Sequence, residues 1–90
     1  MKVLIADDHP LVRDALSRAV RVLDPQASIS EAAHHADVEL QLAAELPDLV
    51  VIDLNMPGIR GGVSGLRQLR ERYPDVPIVV VSGENDPATI

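Results

Sequence analysis

The sequence contains no cysteine, no tryptophan and no phenylalanine, and Tyr73 is its only aromatic residue. Without cysteine, disulfide bonds and thiolate metal sites are excluded, which is consistent with a reducing compartment. Without large aromatic side chains, the core must be built from valine, leucine, isoleucine and alanine. A core of that kind suits a sheet covered by helices.

Long apolar runs and an excess of basic residues are also absent. The first apolar run covers residues 3–6 and ends at Asp7, so it is too short for a signal peptide or a membrane-spanning helix. The formal net charge of −6 argues against binding a nucleic acid, because phosphate contacts require clustered lysine and arginine. The 90 residues are 47% hydrophobic and 24% charged, as in an ordinary globular domain. We therefore expect one cytoplasmic domain that binds neither membranes nor nucleic acids.

The apolar pattern divides the chain into alternating strands and helices. Predicted strands cover residues 2–6, 27–32, 49–53 and 78–81, and predicted helices cover residues 11–23, 36–46 and 63–73. A fourth helix would begin at Asp86-Pro87, and the chain stops before that helix could complete two turns. Alternation with right-handed crossovers predicts an α/β fold with a doubly wound parallel sheet. Because the second strand is polar and belongs at an edge, the predicted strand order is 2-1-3-4.

The first predicted helix has apolar residues at the i, i+3, i+4 spacing of an inward-facing stripe. This stripe consists of Leu11, Val12, Ala15, Leu16, Ala19, Val20 and Leu23. The predicted outer face carries Arg13, Asp14, Ser17, Arg18 and Arg21. Pro10 is tolerated in the first turn, and Asp24-Pro25 ends the helix.

Polar residues end three of the predicted strands. The apolar run at residues 49–52 leads into Asp53, and Pro57-Gly58 breaks the chain soon afterwards. Such a run is typical of a central strand buried on both faces. The order 2-1-3-4 puts a topological switch point between the first and third strands, whose carboxyl ends meet at one edge of the sheet. The residues expected to converge at that edge are Asp7, Asp8, Asp53 and Ser82.

Three carboxylates gathered in one place repel one another unless a cation neutralises them. Carboxylate, carbonyl and water oxygens suit Mg²⁺ better than zinc or copper. A carboxylate nucleophile beside Mg²⁺ and a hydroxyl group is equipped for phosphoryl transfer, in which positioning and charge neutralisation dominate. The three histidines, His9, His34 and His35, are interpreted as surface residues rather than metal ligands.

Three motifs carry a resemblance to a known family. They are Lys-Val-Leu-Ile-Ala-Asp-Asp-His-Pro at the start, Asp-Leu-Asn-Met-Pro-Gly in the middle and Val-Val-Val-Ser after it. Together they resemble the receiver domain of bacterial two-component response regulators. The Asp-Asp-His-Pro form is similar to the subfamily whose receivers precede a helix-turn-helix DNA-binding domain of the LuxR type. The resemblance implies a flavodoxin-like, CheY-like fold over residues 1–90 and a signalling domain rather than an enzyme.

The resemblance also assigns roles to individual residues. Asp53 would accept a phosphoryl group from a phosphohistidine of a sensor histidine kinase. Asp8 and Asp53 would bind Mg²⁺ through their carboxylates, Asn55 through its backbone carbonyl, and Asp7 through a water molecule. Ser82 would donate a hydrogen bond to the new phosphoryl group. The side chains of Asn55 and Glu84 would tune hydrolysis, so that we expect a short-lived phosphorylated state.

Family members also have a lysine on a fifth strand, whereas Lys2 is the only lysine in this sequence. We therefore expect a C-terminally truncated receiver that lacks most of helix 4, strand 5 and helix 5, and whose phosphorylation is impaired. Loss of strand 5 would leave strand 4 as an apolar edge, which favours self-association. The alternative function is then a phosphorylation-independent dimerisation module. A phosphohydrolase of the dehalogenase type is disfavoured, because it needs an acid where Asn55 stands.

Overall fold

The computed structural model describes residues 1–53 and 63–81 of the chain. Within these two ranges, strands and helices alternate as the sequence predicts. They are β1 (Lys2–Ala6), α1 (Pro10–Leu23), β2 (Ser28–Ala32), α2 (His35–Ala44), β3 (Leu49–Asp53), α3 (Val63–Arg72) and β4 (Ile78–Val81). The predicted boundaries differ from these by at most two residues. The chain break expected at Pro57-Gly58 and the helix expected at Asp86-Pro87 lie outside the described residues.

The four strands form one parallel sheet in the order β2-β1-β3-β4, which confirms the predicted α/β fold and strand order. β1 pairs with β2 on one side and with β3 on the other, so that Ala6 lies beside both Ala32 and Ile52. β3 pairs with β4 up to Asp53, which lies beside Val81. Because the chain reverses its direction of travel across the sheet after β2, the crevice between β1 and β3 is a topological switch point.

Apolar side chains cover both faces of the sheet, because successive residues of a strand point to opposite sides. On one face, Leu4 and Ile52 pack with Val38 and Leu42 of α2 and with Leu69 of α3. The other face has a smaller core, formed by Val3, Ile5 and Val51 with Leu16 and Val20 of α1. β1 and β3 therefore form the buried centre of the sheet, and their ends lie at its carboxyl edge.

The prediction of which α1 residues face inward is partly wrong. Leu16 and Val20 contact the sheet as expected, but the other five residues of the predicted stripe are exposed, with Leu11 and Leu23 at 84% and 87%. Ser17, predicted on the outer face, is buried, and the Arg13 side chain is only 19% exposed. The buried face of α1 therefore includes Ser17, whose side chain is small, and Arg13, which finds polar partners at the ends of β1 and β2.

Candidate functional site

The carboxyl edge of β1 and β3 gathers four residues that could hold a metal ion. Asp53 is the last residue of β3, and Asp7 follows β1 directly; their exposures are 0% and 1%. With Asp8 and His9, they offer one ligand atom each, and these four atoms lie within 4.8 Å of one another. The predicted convergence of Asp7, Asp8 and Asp53 is thus confirmed by the geometry. It follows from the pairing of Ala6 with Ile52, which places the next residues of both strands at the same edge.

The main chain and side chain of Asp7 are both held in place. Its backbone N–H donates to the carbonyl oxygen of Ala32 at 3.0 Å, which ties it to the end of β2. Its Oδ1 accepts a hydrogen bond from the backbone N–H of His9 at 2.8 Å. Asp7 is therefore a fixed part of the cluster rather than a freely rotating surface carboxylate.

His9 belongs to the cluster, which the sequence interpretation missed. The side chain is exposed, as expected, but its Nδ1 lies 3.1 Å from Oδ1 of Asp7 and 2.9 Å from Oδ1 of Asp8. The hydrogen bond with Asp7, followed by the negative charge of Asp8, raises the pKa of His9 above its ordinary value of 6.5. The sequence signal was present in the position of His9 directly after two strand-end carboxylates.

Arg13 is a second residue of the site that the helical pattern did not reveal. Its Nη1 donates to the backbone carbonyl oxygen of Asp7 at 2.7 Å, and its Nε donates to Oε1 of Glu31 at 3.0 Å. Arg13 thus joins the first turn of α1 to the ends of β1 and β2. Its place on the predicted outer face of the helix concealed this role.

The chemistry of the cluster fits a hard divalent cation. Three carboxylates at such short separations repel one another, and a cation between them relieves that repulsion. Mg²⁺ prefers oxygen ligands and is commonly bound by one or two carboxylates together with water and phosphate oxygens. Asp7, Asp8 and Asp53 therefore form a suitable donor set for Mg²⁺. Ser82, Asn55 and Glu84 lie outside the described residues, and their roles stay predictions.

Doubly wound α/β proteins bind ligands outside the carboxyl ends of their strands at the topological switch point, and this sheet has its buried carboxylates there. A profile described as the response regulator receiver domain matches residues 3–90. The chain therefore belongs to the response regulator receiver domain family. This membership confirms the resemblance that the three sequence motifs carried.

Individual relatives and structures agree with this assignment. The chain is 42% identical over 87 residues to the glycerol metabolism activator of Pseudomonas putida, covering 94% of this chain and 38% of the relative. It is also 42% identical over 89 residues to the response regulator GacA of Pseudomonas aeruginosa, covering 97% of this chain and 41% of that protein. The signal receiver domain of NarL from Mycobacterium tuberculosis is 29% identical with a TM-score of 0.74, covering 97% of this chain and 69% of that one.

The chain spans about two fifths of the length of the curated relatives it matches. Among the described residues, no helix is both long and apolar enough to cross a membrane.

Proposed function

We propose that this chain is the phosphoacceptor domain of a two-component response regulator and that Asp53 is the residue phosphorylated. The observation that carries the proposal is the convergence of Asp7, Asp8 and Asp53 at the carboxyl edge of β1 and β3. The donor is a phosphohistidine of a sensor histidine kinase, and the reaction depends on Mg²⁺. Family membership supports this assignment.

In the proposed reaction, a carboxylate oxygen of Asp53 attacks the phosphorus atom as the bond between phosphorus and the kinase imidazole breaks. The imidazole leaves with the electron pair of that bond, and an acyl phosphate remains on Asp53. Mg²⁺, when bound, neutralises the negative charge of the phosphoryl oxygens. Asp8 and Asp53 would hold the ion through their carboxylates, Asn55 through its backbone carbonyl and Asp7 through a water molecule. β3 places Asp53 at the carboxyl end of the crevice. Ser82 then donates a hydrogen bond to the phosphoryl group, while Asn55 and Glu84 orient the water that hydrolyses it.

The phosphorylated domain switches an output rather than turning over a metabolite, so the chain is a cytoplasmic signalling domain and not an enzyme in the usual sense. The proposed output is a helix-turn-helix DNA-binding domain in the full-length protein. This chain matches only about two fifths of the length of each relative, which is consistent with an additional domain in those proteins. The acidic charge supports the proposal that residues 1–90 themselves do not bind nucleic acid.

The proposal can be tested by titrating beryllofluoride, which mimics the acyl phosphate, together with Mg²⁺ into the parent chain and into the Asp53→Asn variant. We expect saturable binding by the parent and none by Asp53→Asn. Asp14→Asn is the matched control, because Asp14 is an exposed carboxylate on α1 whose partner is Arg18. Equal binding by the parent and Asp53→Asn would refute the phosphoacceptor role.

The alternative of a phosphorylation-independent dimerisation module receives no support from the relatives. Self-association through the edge of β4 stays a prediction. In the described part of the sheet, β4 pairs with β3 alone, and Val79 is 48% exposed. Light scattering at increasing protein concentration tests it, and a monomer throughout the series would contradict it.

A further inference from the structure

Arg13 donates a hydrogen bond to the main chain of the cluster formed by Asp7, Asp8, His9 and Asp53, without offering a ligand atom of its own. We propose that Arg13 is a positioning residue that fixes the Asp7–Asp8 peptide and so orients their carboxylates for Mg²⁺. The inference rests on the proposed function, because it concerns the same metal site. Its basis is the pair of bonds from one mostly buried guanidinium to the carbonyl oxygen of Asp7 and to the Glu31 carboxylate.

The carbonyl group that Arg13 binds belongs to the peptide bond between Asp7 and Asp8. The preceding peptide is already fixed, because the N–H of Asp7 donates to Ala32. A planar peptide moves as a unit, so a bond to its carbonyl oxygen restricts the adjacent backbone dihedrals and the directions of the Asp7 and Asp8 side chains. The hydrogen bond from Arg13 therefore limits the rotation that would carry the Asp8 carboxylate away from Asp53.

Arginine suits this position because its guanidinium offers several donors in a rigid planar fork. Nε and Nη1 lie at different places on that fork, and they reach Glu31 and the Asp7 carbonyl at the same time. The carbonyl oxygen of Glu31 in turn accepts a hydrogen bond from Nε2 of Gln41 on α2 at 3.0 Å. The end of β2 is thereby held between α1 and α2, and it supplies a firm anchor for Arg13.

Measurements with and without Mg²⁺ distinguish a positioning role of Arg13 from a merely structural one. Residues that orient metal ligands typically change metal affinity by about 10- to 100-fold when they are replaced. We expect Arg13→Gln to bind Mg²⁺ at least about tenfold more weakly by calorimetry. Its melting temperature in saturating Mg²⁺, relative to EDTA, should rise less than that of the parent at the same Mg²⁺ concentration.

Arg18→Gln is the matched control, because Arg18 lies on the same helix and forms an exposed pair with Asp14. It should keep the Mg²⁺ affinity and the Mg²⁺-dependent rise in melting temperature of the parent. An Arg13→Gln chain that melts lower in EDTA but keeps the parent's Mg²⁺ affinity would show a structural role and overturn the inference.

Two further variants keep the inference testable if Arg13→Gln folds poorly. Arg13→Lys keeps the charge but cannot serve both acceptors with the same geometry, so we expect Mg²⁺ affinity below that of the parent. Glu31→Ala removes the anchor and should weaken binding less than Arg13→Gln does. Full affinity in Arg13→Lys and Glu31→Ala would refute positioning by the two bonds. Absence of Mg²⁺ binding by the parent would instead refute the metal site itself, and the positioning role with it.

Discussion

The amino edge of the sheet, where the parallel strands begin, and its carboxyl edge, where they end, differ in how their charged groups are paired. At the amino edge, each cation has its own acid: the Met1 ammonium lies 3.5 Å from Asp24, and Lys2 pairs with Glu45. At the carboxyl edge, buried carboxylates collect around the ends of β1 and β3. Exposed pairs matched one to one contribute little to stability and carry no chemistry. Accumulated like charge costs stability and creates affinity for a cation, so the carboxyl edge is the candidate functional one.

Mg²⁺ itself should produce the largest change. A ligand that binds only the folded state at 100 times its Kd raises the free energy of unfolding by about 2.7 kcal/mol. We expect a stabilisation of that order in urea titrations with Mg²⁺ at that excess, compared with EDTA. Potassium chloride at equal ionic strength is the control for screening. An equal effect of both salts would mean that the carboxyl edge has no specific cation site.

Replacement of one carboxylate at each edge should give the next largest effect. Asp8→Asn removes an expected ligand, and we expect its Mg²⁺ affinity to fall at least about tenfold, because changes even in residues that only orient ligands cost about 10- to 100-fold. Asp48→Asn is the matched change at the amino edge, where Asp48 accepts a hydrogen bond from the backbone N–H of Lys2 at 2.7 Å. It should leave Mg²⁺ affinity unchanged by calorimetry. Equal losses in the two variants would remove the distinction between the edges.

The contrast between the two edges also shows which parts of the structure could be predicted from the sequence. The strands were predictable because valine and isoleucine runs such as 49–52 reflect burial on both faces. Their order then predicted that Asp7, Asp8 and Asp53 converge, since topology alone determines which strand ends meet. The fold and the acidic part of the candidate site therefore follow from local pattern and from few topological rules.

The side-chain partners at that edge did not follow from the pattern. α1 carries apolar residues around much of its circumference, and periodicity could not show that Leu16 and Val20 face the sheet while Leu11 is exposed. The helical pattern placed Arg13 on the outer face, because the partners of a long polar side chain depend on the tertiary structure and not on periodicity. Asn55, Ser82 and Glu84 stay predictions of the resemblance.

Breaking an ion pair at the amino edge should have a smaller effect than Mg²⁺ binding or the Asp8→Asn replacement. Lys2→Met removes the side-chain pair with Glu45 but keeps the backbone N–H that donates to Asp48. Both side chains of the pair are more than half exposed, so we expect a loss of about 0–1 kcal/mol in the free energy of unfolding. Urea denaturation of the parent and variant measures this. A loss of several kcal/mol would show that the amino edge also depends on its charges.

The smallest effect should come from pH at the carboxyl edge, where His9 has a raised pKa because of its hydrogen bond with Asp7 and the charge of Asp8. Protonated His9 stabilises the folded state, and this contribution is complete below the ordinary value of 6.5 and is lost as pH rises through the higher folded value. Because the side chain is exposed, solvent limits its size.

Titration of His9 followed by NMR in EDTA measures its pKa directly. Asp7→Asn removes the negative acceptor beside Nδ1, so the pKa of His9 should fall towards 6.5, whereas Asp14→Asn on the outer face of α1 should leave it as in the parent. An unchanged His9 pKa in Asp7→Asn would mean that the carboxylate 3.1 Å away does not hold the proton on this ring in solution. In that case His9 would be a surface residue, as the sequence alone suggested, and the functional edge would consist of its carboxylates and Arg13.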